Sequence, residues 1–204
     1  MKQTQYDVIL DRLPEAGSRP GVLFRQAGDG FLQIEYELTP RFNLVDSFRV
    51  LTINNVVKNK NIKGLFESVP GIRTNLYHFD PEILPVNKLI YEIKEIEESV
   101  ADVKDIEFES RLIKLPIAFE DSETKKCVEK YVKEVRPNAP NVINNYNIEY
   151  MAMCNGVSVT EIKRMVCGTE WYNSGNGFWP GGGFFWPLDP RCAIVVPKYN
   201  PPRT

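Results

Sequence analysis

Hydrophobic positions in the first half of the chain repeat with the periods of strands and helices in turn. Strand-like runs at 21–26 and 31–37 flank Gly28-Asp29-Gly30, and an Asp-Gly pair between two such runs is a strong hairpin signal. A helix is predicted over 44–58, with Asn43 as its N-cap. Its apolar positions at helical spacing are Leu44, Val45, Phe48, Leu51 and Val56.

The residues that follow repeat this order. Strands are predicted over 61–68 and 73–79, with a turn at Pro70-Gly71 between them. An amphipathic helix is predicted after Pro85. The apolar side of this helix comprises Val86, Leu89, Ile93, Ile96 and Val100, and its solvent side comprises Lys94, Glu95, Glu97 and Glu98.

The order of these elements predicts how the chain is organised. With a further strand near 106–108, it describes a ferredoxin-like α+β layer over 21–110. Residues 1–20 have little periodicity and are interpreted as an arm or early strand followed by a linker. A second unit is predicted over 111–204, with the boundary near Ser110.

The second unit is predicted to mix strands with short helices. Its predicted elements are a strand over Arg111–Phe119 that Pro116 places at a sheet edge, a helix capped by Asp121 or Ser122, helices over Ile148–Cys154 and Thr160–Val166, and a buried strand over Cys192–Val196. Ser158 and Glu161 have the spacing of a capping box at the start of the last helix.

Residues 175–186 combine glycines with aromatic side chains. Glycine permits positive φ angles and close approach of another group, while aromatic rings supply large apolar surfaces. This composition is typical of a loop wrapped around a ligand or another chain, and a plain surface loop is the alternative. A turn is predicted at Pro187–Pro190.

Composition narrows the classes of partner. Of the 204 residues 43% are hydrophobic, and Lys+Arg of 25 against Asp+Glu of 27 gives a net charge of −2. There is no basic run of the kind that binds nucleic acid or an anionic membrane surface. Neither an apolar stretch of about 18 residues nor a signal-peptide pattern occurs. The expected location is therefore the cytoplasm, without nucleic acid or a membrane as partner.

Metal binding is not expected. Cys127, Cys154, Cys167 and Cys192 are widely spaced and form no Cys-x-x-Cys pair, whereas structural zinc sites use closely spaced ligand pairs. The cysteines are expected to be reduced and mostly buried. His78, the sole histidine, is expected to be structural or on the surface rather than catalytic.

Two sets of polar residues have chemistry that suits a small amide or carbonyl ligand. Asn147 and Glu149 precede or begin a predicted helix, where an amide and a carboxylate can hold N–H groups. Lys198, Asn200 and Arg203 supply donors for a carbonyl, carboxylate or ureido oxygen. The plainer alternatives are helix capping by Asn147, a solvated Glu149, and a tied-down turn for the C-terminal set.

Several collinear motifs resemble one known family. PLDPR (Pro187–Arg191) and KYNPPRT (Lys198–Thr204) resemble segments of the carboxyltransferase domain of biotin-dependent urea carboxylases and of the related allophanate hydrolase subunit 1, or KipI-like, group. Four further segments match in the same order: LFRQAGDGFLQIEY (Leu23–Tyr36), PGIRTNLYHFDP (Pro70–Pro81), RLIKLPIAFEDSET (Arg111–Thr124) and NIEYMAMCNGV (Asn147–Val157). The resemblance covers nearly everything after residue 20.

The resemblance implies a fold and a function. The fold would be α+β, with a ferredoxin-like N-terminal unit followed by an incomplete cyclophilin-like β-rich unit. The chain would be a subunit that moves CO₂ from carboxybiotin, delivered on a partner carrier domain, to a urea-like amide nitrogen. The catalytic residues implied are Asn147, Glu149 and Lys198, and the substrate-binding residues implied are Tyr199, Asn200 and Arg203. The implied partners are a second carboxyltransferase subunit, biotin carboxylase and carrier subunits, and a small amide substrate.

The chain departs from the family pattern in two places. SGNGFWPGGGFFW (Ser174–Trp186) replaces the usual G-L-G-D-V-Y-L-G-A-P, and the segments that complete the family's barrel would follow Thr204. A partner chain or a rearranged second unit is therefore expected to cover the barrel, and the chain is not expected to be a stable monomer. Two other functions stay open: a non-catalytic binding or scaffold subunit, and a subunit of a 5-oxoprolinase-type lactam hydrolase.

Overall fold

The computed structural model describes residues 8–37, 44–100, 102–103, 106–177 and 182–197. The chain divides into two compact units, Met1–Ser110 and Arg111–Thr204, and each mixes helices with strands. The elements of the first unit are β1 (Ile9–Leu13), β2 (Gly21–Gln26), β3 (Phe31–Glu37), α1 (Leu44–Lys60), β4 (Leu65–Pro70), β5 (Thr74–Phe79) and α2 (Val86–Ser99). Those of the second are α3 (Ser122–Glu134), α4 (Ile148–Asn155), α5 (Val159–Cys167), β6 (Trp171–Asn176), β7 (Gly183–Pro187) and a 3₁₀ turn (Pro190–Cys192).

The strands of the first unit form one antiparallel sheet in the order β1-β2-β3-β5-β4. The predicted hairpin is confirmed, because β2 and β3 occupy the predicted residues and pair along their whole length. Gly30 lies in the connecting turn, where a Cβ atom would stand 3.0 Å from the Phe79 carbonyl oxygen. Glycine is therefore favoured there by the close approach of β5.

Both helices of the first unit pack on the sheet around a single core. Phe24, Ile34 and Tyr77 of the sheet are fully buried in one cluster with Ile53 of α1 and Ile93 of α2. Burial of each such apolar side chain contributes about 1.5–3 kcal/mol to stability. The predicted apolar side of α2 is confirmed, since Leu89, Ile93 and Ile96 belong to this core.

The buried side of α1 differs from the prediction. Val50 and Ile53 face the core, whereas Val45 is 37% exposed. The prediction failed because α1 also buries Arg49, whose Nη2 lies 2.8 Å from a carboxylate oxygen of Glu97 on α2. Glu97, predicted on the solvent side, is buried as well. A pattern that places every charged residue in solvent does not predict a buried ion pair, so it misplaces the buried side of α1 and assigns Glu97 to solvent.

One edge of the sheet differs from the sequence prediction, and the other edge agrees with it. Residues 61–64 form a turn instead of a strand, with Asn61 at φ 47° and Gly64 at φ 90°. Strand β4 therefore begins at Leu65. At the other edge, β1 pairs with β2, which agrees with the early-strand alternative for the first residues.

The strands predicted near 106–108 and over 111–119 do not form in the described residues. A strand needs a neighbour for its backbone N–H and C=O groups, and no described segment pairs with these residues. Most apolar side chains of the 111–119 segment are left in solvent. Leu112, Ile113, Leu115 and Ile117 are between 56% and 77% exposed.

The second unit has a small core between α4 and α5. Its buried members are Ile148, Ala152, Ile162, Met165 and Cys192. The predicted start of α5 is confirmed, because Ser158 Oγ accepts from Glu161 N. The capping box is incomplete, since the Glu161 carboxylate instead accepts from Arg164 at 2.6 Å. Asp121 caps α3 as predicted, accepting from Glu123 N and Thr124 N.

Residues 171–187, predicted in part as a loop, contain an antiparallel hairpin of β6 and β7. Trp186 Nε1 donates to Ser174 Oγ at 2.8 Å, and this hydroxyl donates to the Phe184 carbonyl at 3.1 Å. Residues 178–181, which connect the two strands in sequence, lie outside the described residues. These strands were not predicted because both contain glycine, and a glycine-rich sequence is typical of a loop.

The buried strand predicted over 192–196 is wrong. Residues 190–192 form the 3₁₀ turn, and the residues after it are irregular. Cys192 is buried, but Val195 is 72% exposed. The β-branched run misled the prediction because no described strand lies beside it.

The expectation that the cysteines are mostly buried is also wrong. All four are free, but Cys127, Cys154 and Cys167 are exposed and Cys192 alone is buried. The cause is the small core of the second unit. In α3, for example, Val128 is the one buried residue.

Candidate functional site

Asn147 stands directly before α4, at the N-cap position. Its side chain does not cap the helix, so the capping alternative is not realised. Its Nδ2 instead donates to the Asn141 carbonyl at 2.7 Å. This bond fixes the side chain against the loop that leads into α4.

Glu149 lies in the first turn of α4 and is partly buried. Both of its carboxylate oxygens lie 2.9 Å from Asn144 Nδ2, which donates to them. The N-terminal end of a helix favours negative charge, because its first N–H groups are unpaired. No Lys or Arg among the described residues forms an ion pair with this carboxylate.

A tight turn places Asn144 beside the helix start. Ile143 and Tyr146 exchange both backbone hydrogen bonds at 2.9 Å. The two central residues, Asn144 and Asn145, have φ angles of 51° and 67°. Positive φ at both central positions is the mark of a type I′ turn, which Asn tolerates well. This contact was not predicted from the sequence, although an Asn-Asn pair ahead of the helix is a turn signal.

The segment that leads to the C-terminal site residues is attached to the other end of α4. Asn155 Oδ1 accepts from Val195 N at 3.0 Å, and its Nδ2 donates to Val195 O at 3.0 Å and to Met151 O at 2.8 Å. No sequence motif of this chain pointed to the contact between Asn155 and Val195, which lie 40 positions apart. The side chain acts here as a substitute for a neighbouring strand.

Four of the six predicted site residues lie outside the described residues. They are Lys198, Tyr199, Asn200 and Arg203. The structure brings Asn147 and Glu149 to one helix end, and the catalytic role implied for Lys198 stays a prediction.

The PLDPR motif forms a self-contained turn. Asp189 accepts from Arg191 N at 2.9 Å and from Arg191 Nη2 at 2.7 Å. This pairing with Arg191 lowers the pKa of the Asp189 carboxyl from its ordinary 3.8 to about 2. Asp189 N donates to Thr169 Oγ1, which ties the turn to the segment before β6. The motif has a structural explanation.

Other features of the described residues do not add to this site. A cavity of about 410 Å³ between α3 and residues 137–145 is lined by Val128, Val132, Ala139 and Val142 among others, and neither Asn147 nor Glu149 lines it. His78 stacks on Phe31 with ring centroids 4.5 Å apart. Within the part of the chain that is described, no group of His, Cys, Asp or Glu side chains could hold a metal ion, and no helix is long and apolar enough to cross a membrane.

Comparison with known proteins identifies similarity to one family over nearly the whole chain. The family described as "Carboxyltransferase domain, subdomain C and D" matches residues 22–204. Urea amidolyase of Saccharomyces cerevisiae is 33% identical over 187 residues, which cover 91% of this chain and 10% of that protein. Crystal structures of a K. lactis urea amidolyase and a Kluyveromyces lactis urea carboxylase each match with a TM-score of 0.76 and 30% identity. These matches cover 98% and 96% of this chain, but 12% and 17% of the two solved chains.

The family match and the solved structures confirm the resemblance inferred from the collinear motifs. They also agree with a mixed helix and sheet fold. The chain spans between 10% and 17% of the length of these relatives, so it corresponds to one part of much longer proteins. This chain belongs to the family of carboxyltransferase domains, subdomains C and D.

Proposed function

We propose that this chain carries the carboxyl-transfer site of a larger biotin-dependent enzyme, which moves a carboxyl group from carboxybiotin to a nitrogen of urea or a urea-like amide. The observation that carries the proposal is the state of Glu149. Its carboxylate is held by a neutral amide, Asn144, and has no cationic partner among the described residues. Its charge is therefore available to a substrate. The names of the relatives, urea amidolyase and urea carboxylase, support urea or a urea-like amide as the acceptor of the carboxyl group.

The two residues at the start of α4 act on the acceptor. Glu149 accepts hydrogen bonds from the acceptor NH₂ group, and Asn147 offers its side-chain carbonyl oxygen to the same group. Holding the nitrogen in near-attack geometry removes much of the entropic cost of a bimolecular reaction. The apolar core behind α4 limits access of water from that side.

The C-terminal residues suit the donor side of the reaction. A lysine ammonium, an Asn amide and an Arg guanidinium present N–H donors, and the ureido oxygen of biotin is an acceptor, so the donor set of Lys198, Asn200 and Arg203 fits the group. Bound carboxybiotin would supply the activated carboxyl group. Lys198 would hold the ureido oxygen, while Tyr199, Asn200 and Arg203 would position the bound substrate.

The proposal also includes the partners of the chain, the fold of its two units and its location. The greater length of the relatives supports partners that supply a biotin carboxylase, a biotin carrier and a second carboxyltransferase part. An antiparallel sheet with two helices packed on it supports a ferredoxin-like first unit over 21–110. The second unit, 111–204, would belong to a cyclophilin-like β-rich unit. The proposed location is the cytoplasm.

Substitution of Glu149 tests the proposal. Glu149→Gln keeps the shape and removes the charge, so carboxyl transfer by the reconstituted complex should fall on the order of a hundredfold while assembly is unchanged. Lys198→Ala should weaken the use of carboxybiotin in the same assay. Glu123→Gln is the matched control, because Glu123 occupies the first turn of α3 and pairs with Lys126. It should leave turnover unchanged.

A scaffold subunit is the second candidate. It is favoured by the exposed apolar side chains of the 112–117 segment, which offer surface to a partner. If Glu149→Gln and Lys198→Ala both assemble and turn over like the parent, the catalytic proposal fails and the scaffold function becomes the better one.

A further inference from the structure

We infer that Asn144 is a positioning residue for Glu149: its side-chain amide holds the carboxylate in one orientation at the start of α4. This inference rests on the proposed function, because it matters for turnover only if Glu149 contacts the acceptor. It adds a residue outside the motifs that carry the family resemblance.

We call the contact between Asn144 Nδ2 and both Glu149 carboxylate oxygens the clasp. Asn144 Nδ2 lies 2.9 Å from each Glu149 oxygen, and hydrogen bonds to an ionised acceptor are shorter and stronger than neutral ones. A carboxylate offers about four lone-pair positions, and one NH₂ group can occupy at most two of them. The remaining positions stay free for an acceptor NH₂ group.

The Asn144 amide is uncharged, and this suits it to orienting the Glu149 carboxylate. A lysine or arginine in the same place would orient the carboxylate but would also compensate its charge. Among the described residues, Asn144 is the side chain that donates hydrogen bonds to the Glu149 carboxylate. The side chain is therefore oriented while its charge remains available.

The contact is not a by-product of the turn that contains Asn144. Both Asn144 and Asn145 have positive φ, so both meet the same conformational demand. Asn145 nevertheless has no hydrogen-bonding partner among the described residues, whereas Asn144 reaches a residue five positions ahead. The turn explains a preference for Asn, Asp or Gly at position 144. The hydrogen bond to Glu149 explains why a side chain with an N–H donor is favoured among these three.

Glycine and aspartate variants separate these two roles. Asn144→Gly keeps the positive φ and removes the amide, and Asn144→Asp keeps the shape but brings a second carboxylate against Glu149. Asn145→Gly and Asn145→Asp make the same changes at the neighbouring position. All four would be assayed in the reconstituted complex for carboxyl transfer, for carboxylation of biotin by the partner, and for melting temperature.

Asn144→Gly should lower the turnover number for carboxyl transfer about tenfold, which corresponds to about 1.4 kcal/mol of barrier. Asn144→Asp should lower it further, because like charges repel. Biotin carboxylation should stay at the parent value, melting temperature should fall by no more than the loss of one exposed contact explains, and both Asn145 variants should behave like the parent. In a Glu149→Ala background, Asn144→Gly should cause no additional loss, since the clasp acts through that carboxylate.

The remaining outcomes overturn the inference in distinguishable ways. If Glu149→Gln is impaired but the Asn144 variants match the Asn145 variants, the clasp has no role and the proposed function stands. If the Asn144 variants lose melting temperature and biotin carboxylation together with carboxyl transfer, their role is structural. If Glu149→Gln turns over like the parent, the proposed function itself fails and the inference fails with it.

Discussion

A charged pair lies inside the core of the first unit. Glu97 is 0% and Arg49 4% exposed. Arg49 donates to Glu97 Oε2 from Nε at 3.0 Å and from Nη2 at 2.8 Å, and Tyr36 Oη donates to Oε1 at 2.5 Å. Burial and the nearby Glu97 raise the pKa of Tyr36 well above its ordinary value, so its hydroxyl remains a donor. The pair ties α1, α2 and β3 together through satisfied hydrogen bonds.

Removal of the cation should destabilise the chain strongly. Arg49→Met would leave the Glu97 charge buried without compensation, which costs about 3–5 kcal/mol. We expect a correspondingly lower urea midpoint, measured by circular dichroism. The control is Arg25→Met, because Arg25 pairs with Glu35 at 2.6 Å while both side chains are partly exposed, and such pairs contribute about 0–1 kcal/mol. Equal midpoints for the two variants would contradict the importance of the buried pair.

At the scale of elements, two local devices hold the segment after β7. One is the turn capped by Asp189, and the other is the hydrogen bonding of Asn155 to Val195. Neither needs a neighbouring strand. They keep residues 188–197 on the second unit although the predicted strand does not form.

The Asp189 turn should make stability depend on acidic pH. Hydrogen bonding to Arg191 lowers the folded pKa of Asp189 to about 2, below its ordinary 3.8. Because the folded pKa is the lower one, the stabilisation is fully present above 3.8 and is lost as the pH falls through about 2. In urea unfolding at pH 5 and pH values near 2, Asp189→Asn should therefore lose less stability on acidification than the parent. Parallel losses for the two proteins would argue against this assignment.

The Asn155 contact should control the protection of a single backbone amide. Asn155→Ala removes the acceptor of Val195 N, and a net hydrogen-bond contribution of about 0.5–1.5 kcal/mol corresponds to faster amide exchange by up to about tenfold. Hydrogen exchange measured by NMR would detect this at Val195. The Val157 amide, which donates to Ala152 O at the same helix end, is the internal control and should not change. Unaltered exchange at Val195 would mean that the contact is not maintained in solution.

At the scale of the whole molecule, the second unit exposes several large apolar side chains. Leu112, Ile113, Leu115 and Ile117 stand in solvent together with Phe184 and Phe185 of the β6–β7 hairpin. A two-stranded hairpin is marginal in stability on its own. Contiguous apolar patches beyond a few hundred Å² on soluble proteins mark surfaces that bind something.

The isolated chain should therefore not behave as a stable monomer. At micromolar concentration we expect self-association in sedimentation velocity and binding of a dye that reports apolar surface. Replacing Leu115 and Ile117 by Lys should reduce both effects, because the charges interrupt the exposed apolar run. A compact monomer without dye binding would contradict the expectation.

Prediction from sequence succeeded where short-range interactions decide the structure. Gly28-Asp29-Gly30 places the β2–β3 hairpin, Asp121 caps α3, and Ser158 caps α5. Each of these features depends on residues within a few positions of one another. The family resemblance succeeded for another reason, since collinear motifs carry information about the whole fold.

The sequence by itself determined the helices of both units, the β2–β3 hairpin, and Asn147 and Glu149 as candidates for chemistry. Only the tertiary structure decided that Arg49 and Glu97 are buried, that residues 111–119 have no partner strand among the described residues, and that Asn144 holds Glu149. The physical reason is that the environment of a charge or a strand depends on groups distant in sequence. The contact between Asn144 and Glu149 is short in sequence, but it depends on the direction in which the turn at 143–146 points the Asn144 side chain. The pattern of residue types does not specify that direction.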